Sequence, residues 1–150
     1  MTANAPTLTR TRLAGIAHAL ATSPDEWIQR VRLSTDGRWY ERLHSDDDHE
    51  IWLISWLPGQ STGFHDHGGS RGAFAVALGS LREHDVTIER DLHAGDAREF
   101  GPDYVHEVSN VSTAPAVSVH VYSPPLSTMS RYDLTDGRLT KIAEEGAEQW

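Results

Sequence analysis

The chain of 150 residues contains no cysteine, which excludes a disulfide framework, a thiolate-held zinc or iron–sulfur site, and a cysteine nucleophile. Long apolar runs are missing as well: no segment approaches the roughly 18 apolar residues of a membrane span. Positive charge is scarce, with 13 Lys+Arg against 22 Asp+Glu and a net charge of −9, a balance that repels nucleic acid and anionic lipid. The opening Met1–Thr7 stretch has neither the basic nor the apolar region of a secretory signal. The expectation is a cytoplasmic protein without nucleic-acid or membrane partners; oligomeric state is not readable from the sequence, and a monomer is plausible. A hydrophobic content of 38% suffices for one core, and the length suits one domain over residues 1–150. What the chain has in quantity is histidine, nine in all, and neutral imidazole is the commonest metal ligand.

The first part, about 7–33, reads as short helices. Leu13, Ile16, Ala17 and Leu20 recur at helical spacing. Ser23, Pro24 and Glu26 then form a second start signal, with Trp27, Ile28 and Val31 as its apolar face. From Gly37 the pattern changes to β-branched and aromatic runs separated by turn chemistry such as Pro58-Gly59, Gly68-Gly69 and Gly101-Pro102-Asp103. Strands are expected near 38–44, 50–57, 62–67, 73–79, 81–89, 96–100, 104–110, 115–122 and 131–135. Many short strands without intervening helices argue for a mainly β antiparallel sandwich or barrel over about 37–135. The polar tail, 136–150, reads as a frayed helix.

His65 and His67 flank Asp66. On a strand, residues i and i+2 point to one face, so His-x-His sets two imidazoles side by side, close enough to share an ion. His106 is a third candidate, 39 residues later. One His-x-His alone matches many polar strand faces, but glycines frame this one: Gly59, His65, His67 and Gly79, then Gly95, His106 and Asn110. That frame resembles the two motifs of the cupin superfamily, Gly-x5-His-x-His-x4-Glu-x6-Gly and Gly-x5-Pro-x-Gly-x2-His-x3-Asn. The chain departs from it at Gly72, Gly101 and Asp103. The Gly72 departure matters chemically, because it removes the only anionic ligand the motif carries. Three neutral imidazoles leave a divalent ion its full charge, which favours an anionic chelating substrate; ligand type alone does not separate iron from zinc, nickel or copper.

Two further rows narrow the reading. In Val117–Tyr122 the valines at 117, 119 and 121 alternate with Ser118, His120 and Tyr122, so the polar row faces either solvent or a cavity. Facing a cavity, Ser118 would fix the imidazole tautomer of His120, and His120 would hold the Tyr122 phenol. In Arg38-Trp-Tyr-Glu-Arg-Leu-His, residues Tyr40, Arg42 and His44 share a face. An inward arginine there would pair with a substrate carboxylate; an outward one would sit on an ordinary charged surface.

Together, His65-Asp66-His67, His106, Ser118-x-His120-x-Tyr122-Ser-Pro-Pro and Tyr40-x-Arg42 resemble the cysteine dioxygenase, or thiol dioxygenase, family of cupins over roughly residues 38 to 125. The resemblance implies a mononuclear non-haem iron(II) on His65, His67 and His106, carboxylate recognition by Arg42 with help from Tyr40, and a Ser118–His120–Tyr122 relay. It implies oxidation of L-cysteine by O2 to cysteine sulfinate, a packing role for Trp56, and a cis Ser123–Pro124 bond. Animal members carry a cysteine thioether-linked to the active-site tyrosine; Gly72 stands at the matching place, so Tyr122 acts unmodified, as in bacterial relatives. Arginine at the carboxylate position favours cysteine over 3-mercaptopropionate or mercaptosuccinate. The readings from other classes are a non-catalytic cupin that binds a small metabolite and a metal-dependent isomerase or zinc hydrolase.

Overall fold

A computed structural model describes residues 7–146. Residues 1–6 and the last four positions of the expected tail lie outside the described residues. One α-helix, α1 (Arg10–Ala21), precedes eleven strands: β1 (Trp39–Ser45), β2 (Glu50–Trp56), β3 (Phe64–His65), β4 (Arg71–Leu78), β5 (Ser80–His84), β6 (Glu89–His93), β7 (Ala97–Phe100), β8 (Glu107–Ser109), β9 (Ala116–Ser123), β10 (Thr128–Thr135) and β11 (Arg138–Gly146). The strands form a five-stranded sheet in the order β1-β2-β9-β4-β7 and two three-stranded sheets, β11-β10-β3 and β6-β5-β8. This is the double-stranded β-helix of the cupins. No helix among the described residues is long and apolar enough to cross a membrane.

Two apolar clusters lie on opposite faces of the large sheet. Inside the barrel, Ile54, Trp56, Phe74, Val76, Phe100 and Val108 pack together. On the outer face, Leu13, Ala17 and Ala21 of α1 pack with Trp27 against Leu53, Ala73, Ala75, Val117, Val119 and Val121. The helix starts where Thr9 accepts the N–H of Arg12 at 3.2 Å. By covering the valine row of β9, α1 settles which way the polar row points. All eight residues of β9 are buried, and Ser118, His120 and Tyr122 face the barrel interior.

Two expectations for local structure are corrected. The second N-terminal helix is a single 3-10 turn, Pro24–Glu26. Ser23 does not cap it, because its hydroxyl donates back to the Ala19 carbonyl at 2.8 Å, tying it to the end of α1. The tail is no frayed helix: β11 pairs along β10 in register Thr135↔Arg138 to Thr128↔Gly146. Asp136 and Gly137, at φ 53 and 76, make the connecting two-residue turn, which needs left-handed backbone at both positions and so suits Asp-Gly.

Candidate metal centre and adjoining cavity

His65 ends β3, and His106 lies just before β8. Their backbones pair: His65 N–H donates to the His106 carbonyl at 3.0 Å, and His106 N–H to the His65 carbonyl at 3.1 Å. This bridge sets the two rings 4.8 Å apart between centroids. His67 completes the triangle, 4.9 Å from the His65 ring and 5.0 Å from the His106 ring. Asp66 points away and anchors the segment, its Oδ1 accepting Ser130 N–H at 2.9 Å and its Oδ2 the Tyr132 hydroxyl at 2.8 Å. All three rings are buried, and their ligand nitrogens lie within 4.8 Å of one another.

The donor set fits a divalent metal ion. Burial pushes the His65 and His67 imidazoles well below their ordinary pKa, and crowding by the neighbouring histidines adds to it, so both stay neutral with a lone pair to offer. His65 Nδ1–H donates to the Gly63 carbonyl at 2.9 Å, which leaves Nε2 free for a ligand bond. Neither ring nitrogen of His67 makes a hydrogen bond of good geometry among the described residues, although the Tyr104 backbone bears on the ring. At least one buried nitrogen is left unpaired, which is costly unless it binds an ion.

Gly72, where the cupin motif carries glutamate, sits against the cluster with no room for a side chain. A Cβ there would meet the Phe100 ring at 2.3 Å and Tyr122 Cδ1 at 3.0 Å. Phe100 thus fills the space, with its ring 4.4 Å from His67. Gly72→Glu is expected to lower the melting temperature by displacing Phe100, and not to tighten metal binding. Thermal unfolding and metal titration of the variant check both outcomes; a folded variant that binds metal more tightly would contradict the packing argument.

A cavity of about 410 Å³ opens beside the histidines, large enough for a small amino acid. His65, His106, His120, Tyr122, Tyr40, Arg38 and Arg131 line it. The polar row of β9 forms a hydrogen-bonded chain. Trp56 Nε1–H, which can only donate, gives to Ser118 Oγ at 2.9 Å, and Ser118 Oγ lies 2.8 Å from His120 Nε2. The Ser118 proton has no other acceptor among the described residues, so the arrangement in which it goes to Nε2 and His120 carries its own proton on Nδ1, 3.4 Å from the Tyr122 oxygen, satisfies all three groups. Trp56 thus does more than pack. Burial, with the charges of His106 and Arg38, pushes His120 down to about 3. Burial pushes the Tyr122 phenol upward, so both remain neutral at physiological pH.

The structure places Arg38 and Arg42 at different depths. Arg42 does not line the cavity; its side chain is 54% exposed and lies 3.8 Å from the buried Glu50. Arg38, four residues earlier, lines it instead. The Arg38 guanidinium stacks 5.2 Å over the Trp56 ring and has no hydrogen bond or ion pair among the described residues, as an anion receptor should. Arg131 is committed: it donates to Glu145 and to the Thr62 carbonyl, each at 2.6 Å. Tyr40 lies at the mouth, edge-on to Trp52 at 5.8 Å. His44 does not reach the cavity. With Asp46 and His49 it forms a turn between β1 and β2, where Asp46 Oδ1 accepts the backbone N–H groups of Asp48 and His49 at 2.9 and 3.0 Å. The Ser123–Pro124 bond is cis.

Sequence reasoning missed Arg38, Arg131 and the buried Glu83, whose Oε2 lies 2.8 Å from His106 Nδ1. Arg38 had a signal, since it shares strand parity with Tyr40. Glu83 had none stronger than its place in an alternating run.

Comparison with known proteins bears on the family and the fold. The family described as "Cysteine dioxygenase type I" matches residues 9–135. "Cysteine dioxygenase type 1" of Homo sapiens is 27% identical over 144 residues, covering 85% of this chain and 71% of that protein. The Rattus norvegicus protein of the same description is 28% identical with the same coverage. Among solved structures, a Klebsiella pneumoniae protein with a double-stranded β-helix domain superposes with a TM-score of 0.60 at 21% identity, covering 77% of this chain and 93% of that one. A cupin superfamily protein from Desulfitobacterium hafniense gives a TM-score of 0.58 at 13% identity over 65% of this chain and 86% of its own.

Proposed function

The chain belongs to the cysteine dioxygenase type I family of thiol dioxygenases, and from that premise we propose that it oxidises L-cysteine with O2 to cysteine sulfinate, with ferrous ion held by His65, His67 and His106. The observation that carries the reading is the meeting of three buried imidazoles, two of them lining a small cavity, with a guanidinium in the same cavity that has no ion pair among the described residues. Ferrous ion, when bound, supplies open positions and the redox chemistry that lets a thiolate react with dioxygen.

The chain's own residues do the rest. Arg38, rather than Arg42, takes the substrate carboxylate in a bidentate, charge-assisted pair. Trp56 beneath the guanidinium holds its plane and excludes water from one side. Tyr40 closes the mouth. The Trp56–Ser118–His120 chain delivers only donors toward Tyr122, so the Tyr122 hydroxyl proton has no acceptor within the chain and is free to bond a group in the cavity. His120, held near pKa 3, stays a neutral imidazole at neutral pH and takes up no second proton; its part is to hold the phenol.

A second reading is favoured by one observation. Arg131 brings a second guanidinium to the cavity, which suits a thiol with two carboxylates, mercaptosuccinate. Its existing pair with Glu145 weighs for the monocarboxylate. Iron-loaded protein is expected to consume O2 with L-cysteine, giving a product heavier by two oxygen atoms, and to do so faster than with 3-mercaptopropionate or mercaptosuccinate at equal concentration. Turnover of one of the others alone would move the substrate assignment. No turnover of any thiol would leave a metabolite-binding cupin.

A further inference from the structure

We propose that Glu83 is a positioning residue of the metal centre, a buried carboxylate that fixes the His106 ring with Nε2 forward and supplies from the outer layer the negative charge the three-histidine set lacks. The inference rests on the reading that the triad binds a divalent ion, and is independent of which thiol, if any, is oxidised.

The strand ladder puts the carboxylate there. Glu83 lies on β5, in register with Arg90 of β6 on one side and Val108 of β8 on the other. Its side chain is 0% exposed. One oxygen, Oε2, lies 2.8 Å from His106 Nδ1. The other, Oε1, accepts Arg90 Nη1–H at 2.8 Å and Arg98 Nε–H at 2.9 Å. Burying a carboxylate is unfavourable unless its oxygens are paired, and two guanidiniums and an imidazole pair them.

A role confined to balancing the arginines does not account for this. The side chains of Arg90 and Arg98 are 25% and 32% exposed, so water could serve both, and a counter-ion for them has no reason to be sunk to full burial with its second oxygen on a metal ligand. Two guanidinium N–H groups donate to one oxygen of Glu83, so the carboxylate is the acceptor of the 2.8 Å contact as well. The proton of that contact then sits on His106 Nδ1, and Nε2 is the nitrogen His106 can offer a metal.

The three imidazoles are consequently unequal. His65 leans on a backbone carbonyl, His67 at most on the Tyr104 backbone, and His106 on a carboxylate. A carboxylate acceptor strengthens an imidazole donor. The motif's own ligand carboxylate is excluded at Gly72 by Phe100, so the nearest anion is one imidazole removed from the metal.

The test is metal affinity of the metal-free protein, by anaerobic competition against a chromophoric chelator with Fe(II) and Zn(II). Glu83→Gln is expected to weaken both roughly 10- to 100-fold. Arg98→Gln, which removes a partner from the far oxygen and leaves the His106 contact, is expected to change them less than about threefold by the same reasoning. Equal affinity of folded Glu83→Gln and the parent protein overturns the proposal while leaving the triad intact. Failure of the parent to bind either ion overturns both. If Glu83→Gln does not fold, nitrogen NMR of the zinc-loaded parent decides: a slowly exchanging proton on His106 Nδ1 supports the proposal, and a proton on Nε2 defeats it. Metal binding with the expected dependence but no thiol oxidation would defeat the dioxygenase reading alone.

Discussion

Arg38→Ala is expected to raise the KM for L-cysteine by about 30- to 4,000-fold with metal binding unchanged, the cost of removing one partner of a buried, hydrogen-bonded charge pair being about 2–5 kcal/mol. The magnitude follows from the surroundings of the guanidinium. It lies against the Trp56 ring, with no carboxylate of its own, so a substrate carboxylate entering the cavity meets a desolvated and undivided positive charge. Arg38→Lys is expected to recover part of the loss, since ammonium keeps the charge but not the fork that matches a carboxylate. Arg42→Ala is the contrasting variant. Arg42 is half exposed and stands 3.8 Å from Glu50. Its loss leaves KM within about threefold and lowers stability by no more than about 1 kcal/mol, the ordinary value for a pair with one exposed partner. Steady-state kinetics on the three variants check this, and a large KM effect at position 42 with none at 38 would return the carboxylate to Arg42.

The pair of arginines also shows what strand patterning conveys. Period-two alternation identified the correct face of β1, because Arg38, Tyr40 and Arg42 all project to one side. It carries no information on depth. Four residues along an extended chain is about 13 Å, enough to separate a cavity-lining position from an exposed one. Which arginine lies inside is decided by the register of β1 on β2, where Tyr40 opposes Ile54 and Arg42 opposes Trp52, and by the bulge between Arg42 and His44. Neither is written in the spacing.

The polar row of β9 was ambiguous for a related reason. Alternation of Val117, Val119 and Val121 with Ser118, His120 and Tyr122 assigns two faces without saying which is wet. The answer comes from α1, whose Leu13 and Ala17 cover the valines; the helix was legible, but its docking partner was not. The histidine triad was legible because its glycine frame and spacing constrain the backbone directly. Glu83 was not, because its partner His106 is 23 residues away and is brought to it only by the β5–β8 pairing. At the C-terminal end the signal was present and outweighed: Asp136-Gly137 is strong two-residue hairpin chemistry, yet the polar composition that follows it suggested a tail.

Replacing His67 with leucine is expected to act in opposite directions on function and on stability. His67→Leu should abolish high-affinity metal binding and reduce thiol oxidation to background, since two imidazoles remain where three converged. In the metal-free protein the same change should raise the melting temperature. Among the described residues neither nitrogen of His67 has a well-formed hydrogen bond, only the Tyr104 backbone bearing on the ring, and an unsatisfied buried polar group costs about 1–3 kcal/mol. Leucine removes that cost while keeping apolar volume beside Phe100, whose ring lies 4.4 Å away. A gain of about 1–2 kcal/mol corresponds to roughly 2–8 °C for a chain of this length. The parent protein should recover the difference when metal is added, because a ligand at 100 times its Kd contributes about 2.7 kcal/mol, whereas the variant should not respond to metal. Thermal unfolding of both proteins, with and without metal, reads all four values. A variant less stable than the metal-free parent, or one still stabilised by metal, would show that the ring is not kept for a ligand bond.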